Sequence, residues 1–145
     1  MRGERAVLVV ALVFAAANFA YGDVGFSGKP YYIYTQEGAG GWYYGYTTGT
    51  VTGLTEGHDY IILPRTGYNV DYANIEGAPA WEPWAFTASR ADEISGKTFY
   101  ISVQVSDQGG GWFYVDVYRD TNGNGQIDSG EQKLDTAWVY VDMDP

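Results

Sequence analysis

The chain has 145 residues and a mass of 16.0 kDa, the size of one domain, and its 46% hydrophobic and 17% aromatic content excludes an intrinsically disordered chain. Acidic residues outnumber basic residues 18 to 8, and the net charge of −10 disfavours nucleic acids and anionic lipid surfaces as partners. With no cysteine and one histidine, one chain cannot build a disulfide framework or the usual Cys/His zinc site.

The N-terminal segment differs from the rest of the chain. Two arginines among the first five residues precede an uncharged apolar run over 6–17, and a small-x-small triplet follows at 20–22. This pattern predicts a cleavable secretory signal peptide over 1–22 and an exported domain over 23–145. The apolar run is shorter than the roughly 20 residues of a membrane-spanning helix. Two alternatives stay open: a buried helix of the domain, and a pilin-type leader cut after Gly3 that leaves the helix in place.

Apolar and polar residues alternate with a period of two after residue 22, and this predicts β-strands. The alternation is clearest over 98–106, 112–119 and 137–143, where one set of alternate residues is apolar and the other is wetter. Antiparallel strands that pack one face on a core have this pattern. Weaker candidates bring the total to about eight strands: 31–36, 42–48, 59–63, 68–75 and 84–88. The sequence therefore predicts an all-β fold, an antiparallel, jelly-roll-like β-sandwich.

Residues with catalytic chemistry are few. His58 and Asp59 are adjacent in the sequence, which is a poor arrangement for a catalytic base and the carboxylate that orients it. We therefore expect that the chain is not an enzyme. The tryptophans suggest a carbohydrate-binding site, because flat aromatic side chains stack on sugar rings. Trp81 and Trp84 stand in a proline-stiffened loop, and together with Trp42 and Trp112 they are the candidates for a carbohydrate site. The alternative is that Trp81 and Trp84 plug one end of the sandwich.

The segment 120–131 has the spacing of a twelve-residue calcium loop and resembles that of the EF-hand. A glycine stands at position six, where the loop turns sharply, and a glutamate stands at position twelve, where a bidentate carboxylate closes the site. Calcium takes six to eight oxygen ligands, which this spacing supplies. The predicted ligands are Asp120, Asn122, Asn124, Gln126 through its backbone carbonyl, Asp128 and Glu131. A metal-free hairpin turn rich in glycine and asparagine is the alternative.

The predicted flanks of this loop are strands, so the resemblance covers the loop and not the helices of an EF-hand. The resemblance implies a calcium loop between two strands, as such loops occur in extracellular proteins. Three carboxylates in the loop predict a Kd on the order of 10⁻⁴ M, which suits a structural calcium site rather than a sensor. Further calcium sites and solvated strand faces are alternative interpretations of the remaining acids, Asp116, Asp135, Asp142 and Asp144.

The short leader, the run of strands, the many tyrosines and glycines and the calcium loop are similar to subunits of archaeal extracellular tubules called cannulae. They also resemble the wider class of donor-strand-assembled archaeal pili. These resemblances imply a jelly-roll subunit that polymerises head-to-tail, with calcium supporting assembly and neighbours exchanging an N-terminal strand. The candidate donor is 23–29, where Val24 and Phe26 share one face. The alternative is that this segment is a disordered tail or the first strand of its own domain.

We therefore predict a secreted or cell-surface, calcium-binding structural subunit that self-assembles into an extracellular filament or tubule, with copies of itself as partner. The alternative is a carbohydrate-binding or adhesive β-sandwich module with polysaccharide as partner. Calcium-dependent polymerisation without any glycan distinguishes the first function, and glycan binding by a soluble monomer distinguishes the second.

Overall fold

The computed structural model describes residues 23–107 and 109–143. The predicted signal peptide over 1–22 lies outside the described residues. Within the described ranges, no helix has the length and apolar character that crossing a membrane requires.

The described part of the chain contains nine β-strands, and this confirms the predicted all-β sandwich. Eight of them lie where the alternation predicted strands, and β1 is the addition. A short helix, α1 (Arg90–Ser95), precedes β7 and begins in a capping box between Ser89 and Asp92. The strands are β1 (Gly25–Ser27), β2 (Tyr31–Glu37), β3 (Tyr43–Thr52), β4 (Asp59–Tyr68), β5 (Tyr72–Ile75), β6 (Trp84–Thr87), β7 (Lys97–Val105), β8 (Gly111–Arg119) and β9 (Lys133–Met143).

The strands form two layers. The first has the order β5–β7–β3–β1 and the second has the order β2–β9–β8–β4–β6. Strand β2 joins the layers, because residues 31–35 pair with β9 whereas Gln36 and Glu37 pair with β3. The β2–β9 pair is parallel and the other pairs among the described strands are antiparallel, so the predicted antiparallel sandwich contains one parallel contact.

The core lies between the two layers and consists of the alternate side chains that face inward. Burial of each large apolar side chain contributes roughly 1.5–3 kcal/mol to the stability of the fold. The core therefore stabilises a chain that has no disulfides. Its largest fully buried members include Ile33, Tyr60, Ile62, Phe99, Ile101, Phe113, Val115 and Val117.

The segment 23–29, predicted to be donated to a neighbour, lies in the chain's own sheet. Strand β1 pairs with β3, and Phe26 is 4% exposed, with its ring 6.0 Å from that of Phe99. The Phe26 N–H donates to Asp135 Oδ2 at 2.9 Å. The donor-strand prediction for this segment is therefore corrected to its alternative, the first strand of its own domain. The physical reason is that the apolar side chains of the segment, Val24 and Phe26, pack against the core of the same chain.

Candidate functional site

The predicted calcium loop joins β8 to β9, so it lies between strands as expected. Gly125, at position six, has a φ of 74°, a left-handed conformation that glycine adopts without steric cost. Its N–H donates to Asp120 Oδ2 at 2.8 Å. The N–H groups of Asn124 and Gln126 likewise donate to the side-chain oxygens of Asn122 and Asn124, at 3.2 and 2.9 Å. The first half of the loop thus turns its side-chain oxygens toward its own backbone.

The second half of the loop closes on the first half. Glu131 Oε2 accepts from the Thr121 N–H at 3.0 Å, and its Oε1 accepts from the Asp128 N–H at 2.8 Å. The side-chain amides of Asn122 and Asn124 donate to Asp128 Oδ2 at 2.9 and 2.7 Å. Hydrogen bonds thus join the side chains of Asn122, Asn124 and Asp128 to one another, whereas the carboxylates of Asp120 and Glu131 accept from backbone N–H groups of the loop. Gln126 takes part through its backbone N–H.

Asp120 differs from the other acids of the loop in its burial. The residue is 3% exposed, and its Oδ1 has no hydrogen-bond partner. Buried polar atoms in folded proteins nearly always have a partner, because burying an unpaired charge is costly. An oxygen in this state fits a cation ligand. Among the residues that the structure describes, no three histidine, cysteine, aspartate or glutamate side chains converge as a metal cluster. A cation here would need amide and carbonyl oxygens as well.

A further carboxylate, not among the predicted ligands, lies beside the loop. Asp59, the first residue of β4, lines the same surface cleft as Asp120 and Gly125. The Asp120 N–H donates to the Asp59 backbone oxygen at 2.9 Å, and Asp59 Oδ1 accepts from the hydroxyl of Thr87. Sequence reasoning missed this residue because it lies 61 positions before the loop, and its place depends on how β4 pairs with β8.

A second feature covers the outer face of the second layer. We call it the aromatic platform. Strands β2, β9, β8 and β4 each contribute to it, because side chains of one parity share a face and the register aligns them. Several of its side chains are 40–57% exposed. Its members are Tyr32, Tyr68, Trp112, Tyr114, Trp138 and Tyr140.

The rings of the aromatic platform contact one another in a continuous row. Tyr140 stacks on Tyr32 and Trp138, at centroid distances of 5.6 and 6.0 Å. Trp138 in turn lies 4.7 Å from Tyr114 and 6.5 Å from Trp112. These contacts hold large aromatic side chains in fixed positions on a partly exposed surface.

An ion pair with one buried partner lies at one edge of the platform. Asp116 has no exposed surface, and its carboxylate accepts from Arg65 Nε at 2.9 Å and from the Thr136 hydroxyl at 2.6 Å. The hydrogen bond to Asp116 raises the pKa of Arg65. The guanidinium also lies 4.4 Å from the centre of the Tyr114 ring. Asp116 was a candidate for a further calcium site, and these partners satisfy it without a metal.

The predicted sugar-binding tryptophans separate into two groups. Trp81 packs edge-on against Phe113 at 6.0 Å, and Trp84 stacks on Phe86 at 5.0 Å, so both support the core. Trp42 packs against Tyr72 on the other layer. Trp112 belongs to the aromatic platform, together with Trp138, which was not among the candidates from the sequence. The interpretation of Trp81 and Trp84 as plugs of the sandwich is the better one.

No protein-family model and no curated protein matches the chain. Among solved structures, the N-terminal domain of PorA is similar with a TM-score of 0.52 and 11% identity, over 76% of this chain and 83% of that one. WR4, an MSP family member of C. elegans, gives a TM-score of 0.46 at 7% identity, over 84% and 98% of the two chains. CfaE, the adhesive subunit of CFA/I fimbria of enterotoxigenic Escherichia coli, gives 0.45 at 9% identity, over 86% and 50%. The likeness to the PorA domain shows that the chain has a β-sandwich fold.

Proposed function

We propose that the chain is a secreted, calcium-binding structural subunit that self-assembles into an extracellular filament or tubule. The observation that carries the calcium part is the Asp120 carboxylate, which is buried at the first position of the loop with Oδ1 unpartnered. Oxygen donors of the loop supply the rest of a hard-cation site. The residues that would hold the ion are Asp120, Asn122, Asn124, Gln126, Asp128 and Glu131.

Calcium would act as a structural staple. The loop connects β8 and β9, which pair along most of their length, and an ion that binds only the folded chain stabilises it by RT ln(1 + [Ca²⁺]/Kd). With a Kd on the order of 10⁻⁴ M, millimolar extracellular calcium stabilises the fold by roughly 1.4 kcal/mol. This contribution suits a chain without cysteine.

Self-association is supported by aromatic surface on both layers. Contiguous exposed apolar patches are uncommon on monomeric proteins and mark interaction sites. The platform covers one layer, and the other layer exposes Tyr44, Tyr46, Tyr72 and Tyr100. A contact between the platform of one copy and the opposite layer of the next is head-to-tail and need not close, so it yields a filament. Bound calcium makes the net charge of −10 less negative. It therefore weakens the electrostatic repulsion between copies that otherwise opposes the association.

The test is sedimentation of the exported chain in calcium and in chelator. We expect large assemblies in calcium, monomers in chelator, and monomers in both conditions for Asp120→Asn. Glu82→Gln removes one exposed negative charge far from the loop in sequence and serves as the control that still assembles. A wild-type chain that stays monomeric in millimolar calcium contradicts self-assembly.

The second candidate function is a carbohydrate-binding or adhesive module, and the aromatic platform favours it. The electron-rich faces of aromatic rings attract the C–H groups of a pyranose, and the row of rings suits an extended neutral chain. Polar groups for sugar hydroxyls flank the platform in shallow clefts, with Lys29 and Thr136 at one end and Asp142 at the other.

Two groups of variants separate the two functions. Trp138→Ser and Tyr140→Ser remove the centre of the platform, and Tyr46→Ser removes an exposed tyrosine on the opposite layer. Binding to an insoluble neutral polysaccharide such as cellulose or chitin, lost with the platform variants and kept with Tyr46→Ser, supports the carbohydrate module. Loss of polymerisation without any glycan in both groups of variants supports the head-to-tail subunit.

A further inference from the structure

The Asp120 carboxylate has a buried oxygen without a partner, and its negative charge requires a positive group nearby. Asp120 Oδ2 accepts from the Gly125 N–H, whereas Oδ1 is buried and has no hydrogen-bond partner. The ion pairs of the described residues are Lys29–Asp135, Arg65–Asp116 and Arg90–Glu56, and none of them involves Asp120. Arg119 is its neighbour along the chain but forms no ion pair with it. Among the described residues, Asp120 therefore forms no ion pair, and the Nε of Arg119 is likewise buried without a hydrogen-bond partner.

Asp59 brings a second carboxylate into the same cleft. Its backbone oxygen accepts from the Asp120 N–H, which fixes the start of β4 against the start of the loop. A Cβ built on Gly123 would meet Asp59 Oδ2 at 3.0 Å, so this carboxylate lies directly against the loop backbone. Asp59 Oδ1 accepts from the Thr87 hydroxyl, and among the described residues no hydrogen bond to Oδ2 is found. The oxygen nearest the loop is thus free to bind.

Two carboxylates in one cleft without a counter-charge repel each other, and a divalent cation between them removes that repulsion. Carboxylate and carbonyl oxygens are the ligands that calcium prefers, and a loop with three carboxylates has few charges for this ion. A carboxylate from outside the loop would bring the number of carboxylates at the site to four. The cleft also contains Asn124 and the backbone of Gly123 and Gly125, which can complete an oxygen shell.

We propose that Asp59 is a calcium ligand from outside the twelve-residue loop, so that the ion ties the β8–β9 loop to the start of β4. This inference deepens the proposed calcium function and rests on it. The bound ion then links three neighbouring strands of the second layer, because the loop joins β8 to β9 and Asp59 begins β4, which pairs with β8. Calcium would hold the edge of the sandwich as well as the loop.

The test is calcium titration by calorimetry of the exported chain after chelator treatment, with calcium chloride as the probe. We expect Asp59→Asn to weaken calcium affinity at least tenfold, and Asp120→Asn to do the same. Glu82→Gln, which removes one exposed carboxylate outside the cleft, should stay within twofold of wild type. Thermal unfolding in chelator checks that each variant is folded before calcium is added.

The outcomes separate this inference from the function on which it rests. If wild type takes up no calcium, the proposed function fails and the inference with it. If wild type binds and Asp120→Asn is weakened while Asp59→Asn matches Glu82→Gln, the loop binds calcium and the role of Asp59 alone is overturned.

A measurement on the unmodified chain guards against a variant that fails to fold. Amide hydrogen exchange with and without calcium chloride should show slower exchange at the loop and also in β4 and β6 near Asp59 and Thr87. Protection confined to 120–131 would overturn the bridging role even where the loop itself binds the ion.

Discussion

Arg65 covers the buried carboxylate of Asp116 on the outer face of β8. Its Nε donates to Asp116 Oδ2 at 2.9 Å, and Arg65 remains 44% exposed while Asp116 has no exposed surface. Thr136, on the adjacent strand β9, donates to the other oxygen. The alternation of β8 places Asp116 on the outer face of the layer. Arg65 on β4 and Thr136 on β9 nevertheless cover its carboxylate and exclude water from it. The pair is therefore asymmetric, because one partner can be solvated alone and the other cannot.

The first prediction follows from this asymmetry. Arg65→Leu leaves a buried carboxylate without its counter-charge, and we expect the free energy of unfolding to fall by about 3 kcal/mol. The matched control is Arg90→Leu, which breaks the exposed pair with Glu56 at 3.8 Å and should cost less than about 1 kcal/mol. Urea unfolding at neutral pH measures both. Equal losses in the two variants would contradict the structural role of Arg65.

The second prediction concerns pH. Burial by itself would raise the pKa of Asp135, but hydrogen bonds from Lys29 and from the Phe26 N–H outweigh it and lower the pKa below its usual 3.8. The ionised form is therefore favoured by folding, and its contribution is present above pH 3.8 and lost as the pH falls through the lower folded value. We expect Asp135→Asn to cost about 1 kcal/mol at pH 7 and progressively less below pH 4. Unfolding curves of both proteins at pH 7 and pH 3 check it, and a pH-independent difference would contradict it.

The third prediction tests the place of β1. Phe26 packs edge-on against Tyr31 and near Phe99 in the core, so Phe26→Ala should lower the free energy of unfolding by about 3–5 kcal/mol. Ser27→Ala changes an exposed side chain of the same strand and should have an effect within about 0.5 kcal/mol. The measurement is chemical unfolding of the monomer in chelator. A Phe26→Ala monomer as stable as wild type would mean that β1 does not fill its own core.

The fourth prediction concerns the turn of the loop. Gly125 has a φ of 74°, and a Cβ there would lie 3.7 Å from that of Ala85, so Gly125→Ala meets backbone strain rather than a clash. Gly28, with a φ of 77° and open space around it, is the matched control. We expect each alanine to cost about 1–2 kcal/mol in chelator. Only Gly125→Ala should also weaken calcium binding, because relief of the strain at this φ shifts the backbone N–H that orients Asp120. Calorimetry that finds equal calcium affinities in the two variants would contradict this.

Local patterns carry much of the predicted fold. The period of two located β2 to β9, because the parity of a strand depends only on the chain itself. The spacing over 120–131 identified a loop between strands, because its glycines and short polar side chains determine the turn. Trp81 and Trp84 could not be assigned in this way, since a tryptophan in a loop has the same sequence context whether it contacts a core or a ligand.

The sequence by itself determined the all-β class, the strand faces and the oxygen-rich loop, because these depend on neighbours within a few residues. Only the tertiary structure decided which strands lie side by side. That order covered Asp116 with Arg65, assembled one aromatic platform from four strands, set Asp59 beside Asp120, and returned β1 to its own sheet. The physical reason is that these contacts join residues far apart in the chain, and burial of a common core selects among the pairings that each strand would accept.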